Sequence, residues 1–305
     1  MKYDIQVNPY NPVEYLACCG VFEILTRFDQ TATSWWEVEK QPRFWIESEI
    51  DEAELLRCLK DSLTDWSQWQ KQEEDASALN SDEVGTDETA NEEGDEEEGD
   101  EGIKLSPQFS MRDQSLPLVL DWWYETLSPE KKIKEKSAWK MYAGQQTAEK
   151  ICRDMTLKAA ELLKEKPVSA IADLLKLSVG MTGRFGFDPR SSRNALDTGY
   201  SANDLKLPIA TYPLAELLTG FAAHYFFPTR NHPGKGIMSS RGWVANNQFQ
   251  YALWTTPLPI TLARMAACGA GINQAQAIPI KAERASRDKY SNFKMGTKTI
   301  WKPTK

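Results

Sequence analysis

The stretch that decides the fold lies near the amino terminus, where YDIQV at residues 3–7 is followed by NPVEYLACCGVFEIL at residues 11–25. Alternating polar and apolar residues in the first segment predict a short β-strand. The second segment carries the start signals of a helix: Asn11 as N-cap, Pro12 at the first helical position, and Glu14 reaching back as in a capping box. Apolar residues recur along it at helical spacing, so we expect a core helix. These residues are Val13, Leu16, Ala17, Val21, Ile24, Leu25 and Phe28.

The rest of the chain mixes helix and strand signals without a βαβ order. Strands are predicted at residues 43–46 and 116–124, and a hairpin at residues 242–258 with Asn246 and Asn247 at its turn. Helices are predicted at residues 52–63, 168–177 and 258–268, around the apolar series Ile151, Met155, Ala159 and Leu162, and from Pro213 onwards. We therefore expect an α+β fold of mixed helices and short antiparallel strands.

Residues 71–102 hold 15 acidic residues and one lysine, with almost no apolar side chains. Such a segment buries too little surface to offset its ordering entropy, so we expect a disordered acidic insert. The net charge of −8 belongs to this insert, because the remaining chain has 35 basic and 29 acidic residues, a net of +6. The insert is interpreted as a solubilising loop or as an internal mimic of nucleic acid that screens a basic surface.

This segment also organises the chain. We expect an N-terminal α+β segment (1–70), the insert (71–102), a main α+β body packed with the N-terminal segment (103–280), and a basic aromatic tail (281–305).

The signals of several protein classes are missing. No long apolar run or secretory leader occurs, so we expect a cytoplasmic protein. Five cysteines without a CxxC pair indicate neither a disulfide framework nor a zinc site. With two histidines, no HExxH, no P-loop and no cysteine with a partner base, we expect no enzyme activity, no cofactor and no metal. The less favoured alternative is a metal-dependent nuclease that uses acidic loop residues. Those residues are Asp113, Asp121, Asp188, Asp197 and Asp204.

The last 25 residues, 281–305, have eight basic and two acidic side chains with aromatic residues between them. Basic side chains neutralise phosphates and flat rings stack on bases, so this composition is typical of a nucleic-acid-binding segment. The alternative is a solvated tail whose aromatic residues dock on the domain. The candidate binding residues are Lys281, Arg284, Arg287, Lys289, Lys294, Lys298 and Lys302, and the aromatic residues are Tyr290, Phe293 and Trp301.

Five ordered segments carry a resemblance to a known family. They are NPVEYLACCGVFEIL, LDWW followed by SAWKMYAGQQTAEKI, RFGFDPRSSRNALDTGYSANDL, TYPLAELLTGF and YALWTTPLPITLAR. Together they resemble the small protein of CRISPR subtype I-G (formerly I-U), a large-subunit-like component of the Cascade effector complex. The likeness spans nearly the whole chain outside the acidic insert, and the third segment is its most specific part.

The resemblance implies a non-catalytic subunit of a crRNA-guided complex. Its partners would be other Cascade subunits, the crRNA, target double-stranded DNA and a separate helicase-nuclease, with no membrane involved. It would help to recognise the motif adjacent to the target and to hold the opened strand, while guide pairing reads the sequence. An adaptor that binds proteins alone is the alternative from a different class.

The third segment supplies the other candidate site residues. Arg184, Arg190 and Arg193 would present guanidinium groups to phosphates or guanine edges, and Asn194 and Asn203 would read bases as amides. Asp188 and Asp197 would orient the arginines. The structural alternative is that Arg–Asp pairs only fix the loop.

Overall fold

The three-dimensional structure is a computed structural model. It describes residues 1–81, 108–109, 118–120, 141–142, 147–191, 207–226, 243–244, 248–269, 276–287 and 290–300. Within these residues the fold is α+β, as predicted, and every strand pairing is antiparallel.

The N-terminal sheet has four strands, β1 (Lys2–Gln6), β2 (Thr33–Glu37), β3 (Arg43–Glu47) and β10 (Leu258–Pro259), in the order β1-β3-β2-β10. Ile5 lies opposite Phe44, which lies opposite Trp36, and this row is buried. The neighbouring row of the other face holds Trp35 and Trp45, which are only half-buried. The sheet therefore packs one face on the core, as period-two alternation requires.

Helix α1 (Pro12–Leu25) is buried along nearly its whole length. The Asn11 side chain accepts a hydrogen bond from Val13 N at 3.0 Å, which confirms the predicted cap. Glu14 does not complete a capping box, because its carboxylate accepts from the backbone N–H of Asn8 at 2.6 Å and from the Asn11 amide at 3.3 Å. That carboxylate thus fixes the turn before the helix.

Helix α5 (Pro213–Tyr225) begins at the predicted proline and packs along α1. The two backbones approach so closely that a Cβ added to Gly20 would lie 2.1 Å from the Leu218 carbonyl oxygen. Only glycine fits at this crossing. Three more helices surround the pair: α2 (Glu52–Ser81), α3 (Ala148–Glu165) and the single turn α4 (Ile171–Leu174). Helix α6 (Ile260–Ala267) follows β10 directly.

The second sheet contains β8 (Trp243–Val244), β9 (Gln248–Trp254), β11 (Ala277–Arg287) and β12 (Tyr290–Phe293), in the order β12-β11-β9-β8. Strand β13 (Thr297–Lys298) pairs with β11. The β8–β9 pairing confirms the predicted hairpin, although Asn246 and Asn247 lie outside the described residues. Two short pairs complete the topology, β4 (Gln108–Phe109) with β5 (Leu118–Val119) and β6 (Val179–Met181) with β7 (Ile209–Thr211).

Aromatic side chains join both sheets and α1 into one core. Tyr15 stacks on Tyr251 with ring centroids 4.2 Å apart and on Trp36 at 5.5 Å. The indole of Trp254 donates to the Ser34 carbonyl of the first sheet at 2.8 Å. Residues far apart in the chain are therefore held by a single packed interior.

Four further expectations are corrected. Helix α2 runs to Ser81, so residues 71–81 of the expected disordered insert are helical, while residues 82–102 lie outside the described part. The strand expected at 116–124 is two residues long, Leu118–Val119, where it is described, and the helix expected at 168–177 is the single turn Ile171–Leu174. Residues 281–298 are not a peripheral tail, because most of β11 and all of β12 and β13 lie within this stretch.

Candidate nucleic-acid interface

The polar loop after β6 is anchored to the core by two aromatic residues. Phe185 and Phe187 are fully buried and stack with ring centroids 5.4 Å apart. Gly186 between them has φ +83°, a backbone conformation that favours glycine. A 3-10 turn at Pro189–Ser191 follows.

Arg190 lies at the centre of a network of charges. Its Nε donates to both Asp188 oxygens at 3.0 Å and its Nη2 donates to Oδ2 at 2.6 Å. Its Nη1 lies 3.2 Å from a Glu14 carboxylate oxygen, and the guanidinium carbon lies 3.7 Å from the ring centroid of Tyr212. Burial lowers the pKa of Arg190, but the hydrogen bonds and charge of Asp188 and the charge of Glu14 outweigh burial and raise it.

Asp188 is completely buried and has a second role in the network. Its Oδ1 accepts from the Arg190 backbone N–H at 2.9 Å and from the Asn11 side-chain amide at 3.3 Å. The N-cap residue of α1 is thereby tied to a loop 177 positions later in the chain. The Asp188–Arg190 pair therefore fixes both the loop and the start of α1.

Glu216, in the first turn of α5, holds the same loop from the other side. Its fully buried carboxylate accepts from the backbone N–H of Phe185 at 2.9 Å and of Asp188 at 3.4 Å. Desolvation and the nearby charge of Asp188 raise the pKa of Glu216 to about 7, and the charge of Arg184 opposes this shift. Glu216 had not been singled out from the sequence, because its spacing marks it only as a helix-start carboxylate.

In the described part of this loop, the positive and negative side chains face one another rather than solvent. Three carboxylates, Glu14, Asp188 and Glu216, face two guanidinium groups, Arg184 and Arg190. The Arg190 side chain is 23% exposed and directs its donors inward. These contacts give Arg190 an anchoring role, the structural alternative for this residue. Arg193, Asn194, Asp197 and Asn203 lie outside the described residues.

The described basic residues near the carboxyl end lie in β11 and β13, with Lys294 directly after β12. Lys281 lies in β11 opposite Gln250 of β9 and Thr297 of β13, and Lys298 is the next residue of β13. Lys281 is half-buried and Lys298 is exposed. Neither lysine has a carboxylate within ion-pair distance among the described residues. Neither lysine is therefore neutralised by an ion pair within the described residues.

The other candidates differ from one another. Lys294 is exposed and lies 3.9 Å from the Glu283 carboxylate. Arg284 lies opposite Phe293 on β12, and burial lowers its pKa. Phe293 is fully buried and its ring packs at a tilt against Phe249 with centroids 5.5 Å apart, so it is unavailable for stacking on a base. Arg287 is placed in β11 by its backbone alone, and Lys289, Trp301 and Lys302 lie outside the described residues.

Comparison with protein-family models, with curated proteins and with solved structures finds no match. The site is therefore interpreted from its own geometry.

Two further arginines, Arg27 and Arg264, come together although 237 positions separate them in the chain. Arg27 follows α1, Arg264 belongs to α6, and the buried carboxylate of Glu23 lies between them. The spacing of Glu23 and Arg27 was readable as an i,i+4 pair. The contact of Arg264 with Glu23 depends on the tertiary fold, and the sequence does not predict it.

Neither a metal cluster nor a membrane-length helix is found in the described ranges. No three His, Cys, Asp or Glu side chains converge there as a group able to hold a metal ion. No helix of these ranges is long and apolar enough to cross a membrane.

Proposed function

We propose that this protein is a non-catalytic, nucleic-acid-binding subunit of a crRNA-guided type I CRISPR effector complex. It contributes to binding of the target DNA, at the adjacent motif and along the opened strand, and presents the complex to a separate helicase-nuclease. The observation that carries this proposal is the presence of Lys281 on β11 and Lys298 on β13, two lysines without a carboxylate within ion-pair distance among the described residues. Lys281 lies opposite Thr297 and Lys298 lies opposite Ile280, so the two lysines project from opposite faces at this edge of the sheet and would contact different phosphates.

The surroundings of these lysines support the proposal. Strand β11 is fixed on one side by β9 over seven residue pairs and on the other by β12 and β13. Ile280 and Ala282, which flank Lys281, are fully buried, so the lysine projects from a rigid strand. A rigid support limits the side-chain ordering that phosphate binding costs.

The test compares two double variants in the full chain. Lys281→Gln with Lys298→Gln removes the two positive charges that are proposed to contact phosphates. Lys164→Gln with Lys166→Gln removes two exposed charges at the end of α3 and serves as the control. Fluorescence anisotropy with labelled duplex DNA should show weaker binding for the first pair alone. The plot of log K against log salt should become shallower by about 0.9 for each lost phosphate contact.

Equal losses for both double variants would mean that DNA binding responds to net charge alone, and the assignment of these two lysines would fail. Absence of DNA and RNA binding by the purified chain and by its native assembly in dilute buffer would refute the function itself. Co-purification of a guide RNA with the native assembly would identify the type of complex.

A protein-only adaptor is the second candidate, and one observation favours it. Trp35 and Trp45 lie side by side on the open face of the N-terminal sheet, with ring centroids 6.0 Å apart and Lys2 Nζ within 4.8 Å of both. The Trp45 indole donates to Glu37, and Asp4 pairs with Arg43 on the same face. A half-exposed aromatic pair among mixed charges suits a protein surface better than a polyanion. An adaptor would assemble nearly independently of salt, whereas phosphate contacts would make assembly steeply salt-dependent.

A further inference from the structure

The arginine pair of Arg27 and Arg264 shares a single carboxylate. Arg264 donates to Glu23 through Nε at 3.1 Å and through Nη2 at 2.5 Å to both oxygens. Arg27 lies farther away, with its Nη2 at 3.9 Å from Glu23 Oε1. The Glu23 side chain is 2% exposed, and it is the one carboxylate within 4 Å of either guanidinium in the described part of the chain. The cluster therefore carries an excess of one positive charge.

An aromatic ring orients both guanidinium groups. Arg27 Nη2 donates to the Tyr225 hydroxyl at 2.7 Å. The guanidinium carbons of Arg27 and Arg264 lie 5.4 Å and 5.0 Å from the centroid of the same ring. Cation–π contacts at this distance hold a guanidinium while leaving its N–H edge able to donate. Tyr225 closes α5, so the last turn of this helix supports the pair.

The unused N–H donors of the two arginines indicate that the ligand is an anion. A guanidinium has five N–H donors, and the contacts of Arg264 occupy Nε and Nη2, while the hydrogen bond of Arg27 occupies one N–H of Nη2. Within the described residues, Nη1 of both arginines and Nε of Arg27 have no hydrogen-bond acceptor. Side-chain exposures of 25% for Arg27 and 33% for Arg264 let solvent reach the pair. Two adjacent guanidinium groups with unused N–H donors can hydrogen-bond to the oxygens of a phosphate group.

A purely structural role for Arg27 would be to stabilise the C-terminus of α1. Arg27 lies just beyond the C-terminus of α1, where a positive charge complements the helix dipole. The dipole carries about half an elementary charge, which is less than the excess of the cluster. A structural role would also lower stability without changing the binding of an anion, so the two roles have different readouts.

We propose that Arg27 and Arg264 form a subsite for one backbone phosphate of a nucleic acid. This proposal rests on the proposed function, because it names a second point at which the same ligand is held. The subsite lies just after α1 and on α6, apart from the strands that carry Lys281 and Lys298.

The test uses Arg27→Gln, because replacing Arg264 would strand the buried Glu23 carboxylate and unfold part of the core. The matched control is Arg57→Gln, which removes the same charge from a side chain that is 70% exposed on α2. We expect Arg27→Gln to weaken binding of labelled single-stranded DNA about tenfold at low salt, as for loss of a charged hydrogen bond. Its salt slope should fall by about 0.7, and Arg57→Gln should match the parent protein in both.

Two further arms identify the ligand. An oligonucleotide with a neutral methylphosphonate backbone should bind the parent protein and Arg27→Gln equally, and a difference there would overturn the phosphate assignment. Inorganic phosphate should compete only weakly, whereas competition as strong as that of DNA would make free phosphate the ligand. Arg27→Lys restores the charge without the guanidinium group and should recover part of the affinity. This partial recovery separates anion binding from a folding defect.

The outcomes separate this inference from the proposed function. If the parent protein binds DNA and Arg27→Gln binds as tightly as Arg57→Gln, the subsite is wrong and the function stands. If neither the parent protein nor its native assembly binds DNA or RNA at low salt, both are wrong. Thermal melting of each variant by circular dichroism gives the stability readout, and a lower Tm with unchanged affinity would assign Arg27 a structural role instead.

Discussion

Replacing Glu216 by Gln should remove a specific part of the pH dependence of folding. In the parent protein the carboxylate is buried and accepts from the Phe185 and Asp188 backbone N–H groups. The charges that face it are Asp188, which raises the Glu216 pKa, and Arg184, which lowers it. Glutamine has the same size but cannot ionise, so the comparison isolates the titration of this one group.

The magnitude follows from the shift in pKa. In the folded protein the pKa is about 7, against an ordinary value of 4.5 that the unfolded chain retains. At about 1.4 kcal/mol for each pKa unit, the difference amounts to roughly 3 kcal/mol. Between these two values the folded state binds more protons than the unfolded state, so the unfolding free energy falls as pH rises. The contribution of Glu216 is therefore lost progressively between about pH 4.5 and pH 7 and is constant outside that window.

The assay is urea unfolding, followed by tryptophan fluorescence at several pH values from 4 to 8. We expect the unfolding free energy of the parent protein minus that of Glu216→Gln to fall by roughly 3 kcal/mol across the window. Glu165→Gln, an exposed change on α3, is the control for loss of a surface carboxylate. A difference between parent and Glu216→Gln that stays level with pH would show that Glu216 does not titrate there.

Two further substitutions test the packing of the same region. Arg190→Ala leaves the buried Asp188 carboxylate without its main partner, so unfolding should become easier by about 3 kcal/mol in denaturant melts. DNA affinity per folded molecule should not change, and a selective loss of affinity at constant stability would contradict the anchoring role. Gly20→Ala places a methyl group 2.1 Å from the Leu218 carbonyl and should cost about 3 kcal/mol, whereas Gly180→Ala, which meets side-chain carbons at 3.2 Å and beyond, should cost less. Equal melting temperatures for the two alanine variants would refute the close helix crossing.

Local signals predicted the elements that begin or turn at a special residue. Asn11 and Pro12 fixed the start of α1, and Pro213 fixed the start of α5, because each residue acts on the backbone next to it. The β8–β9 hairpin was predicted for the same reason, since turn residues and alternation lie within one short stretch.

Strand β11 was missed because its pattern is weak and its partner is distant. Ile280 and Ala282 face the core, and Lys281 and Glu283 face outward, which is a period-two pattern with small apolar members. The pairing with β9 supplies the burial that composition alone does not indicate. The extension of α2 to Ser81 has a different reason, because residues 71–81 are rich in good helix formers despite their charge.

In the candidate site, local contacts were likewise predictable from the sequence and long-range contacts were not. The pair of Asp188 and Arg190 was readable because two positions separate the residues. The carboxylates that complete the network, Glu14 and Glu216, come from helices on either side of the loop and were not predictable from spacing. Arg264 beside Arg27 is a similar case. Long-range contacts of this kind are set by how α1, α5 and α6 pack.

The close crossing of α1 and α5 has a consequence for synthesis. The ribosome completes α1 at residue 25 and does not reach α5 until residue 213. At roughly 5–20 residues per second, the apolar surface of the first helix waits on the order of 10–40 s for its partner. During that interval a nascent chain with this order of elements depends on chaperone cover, and slower translation would lengthen its exposure to aggregation.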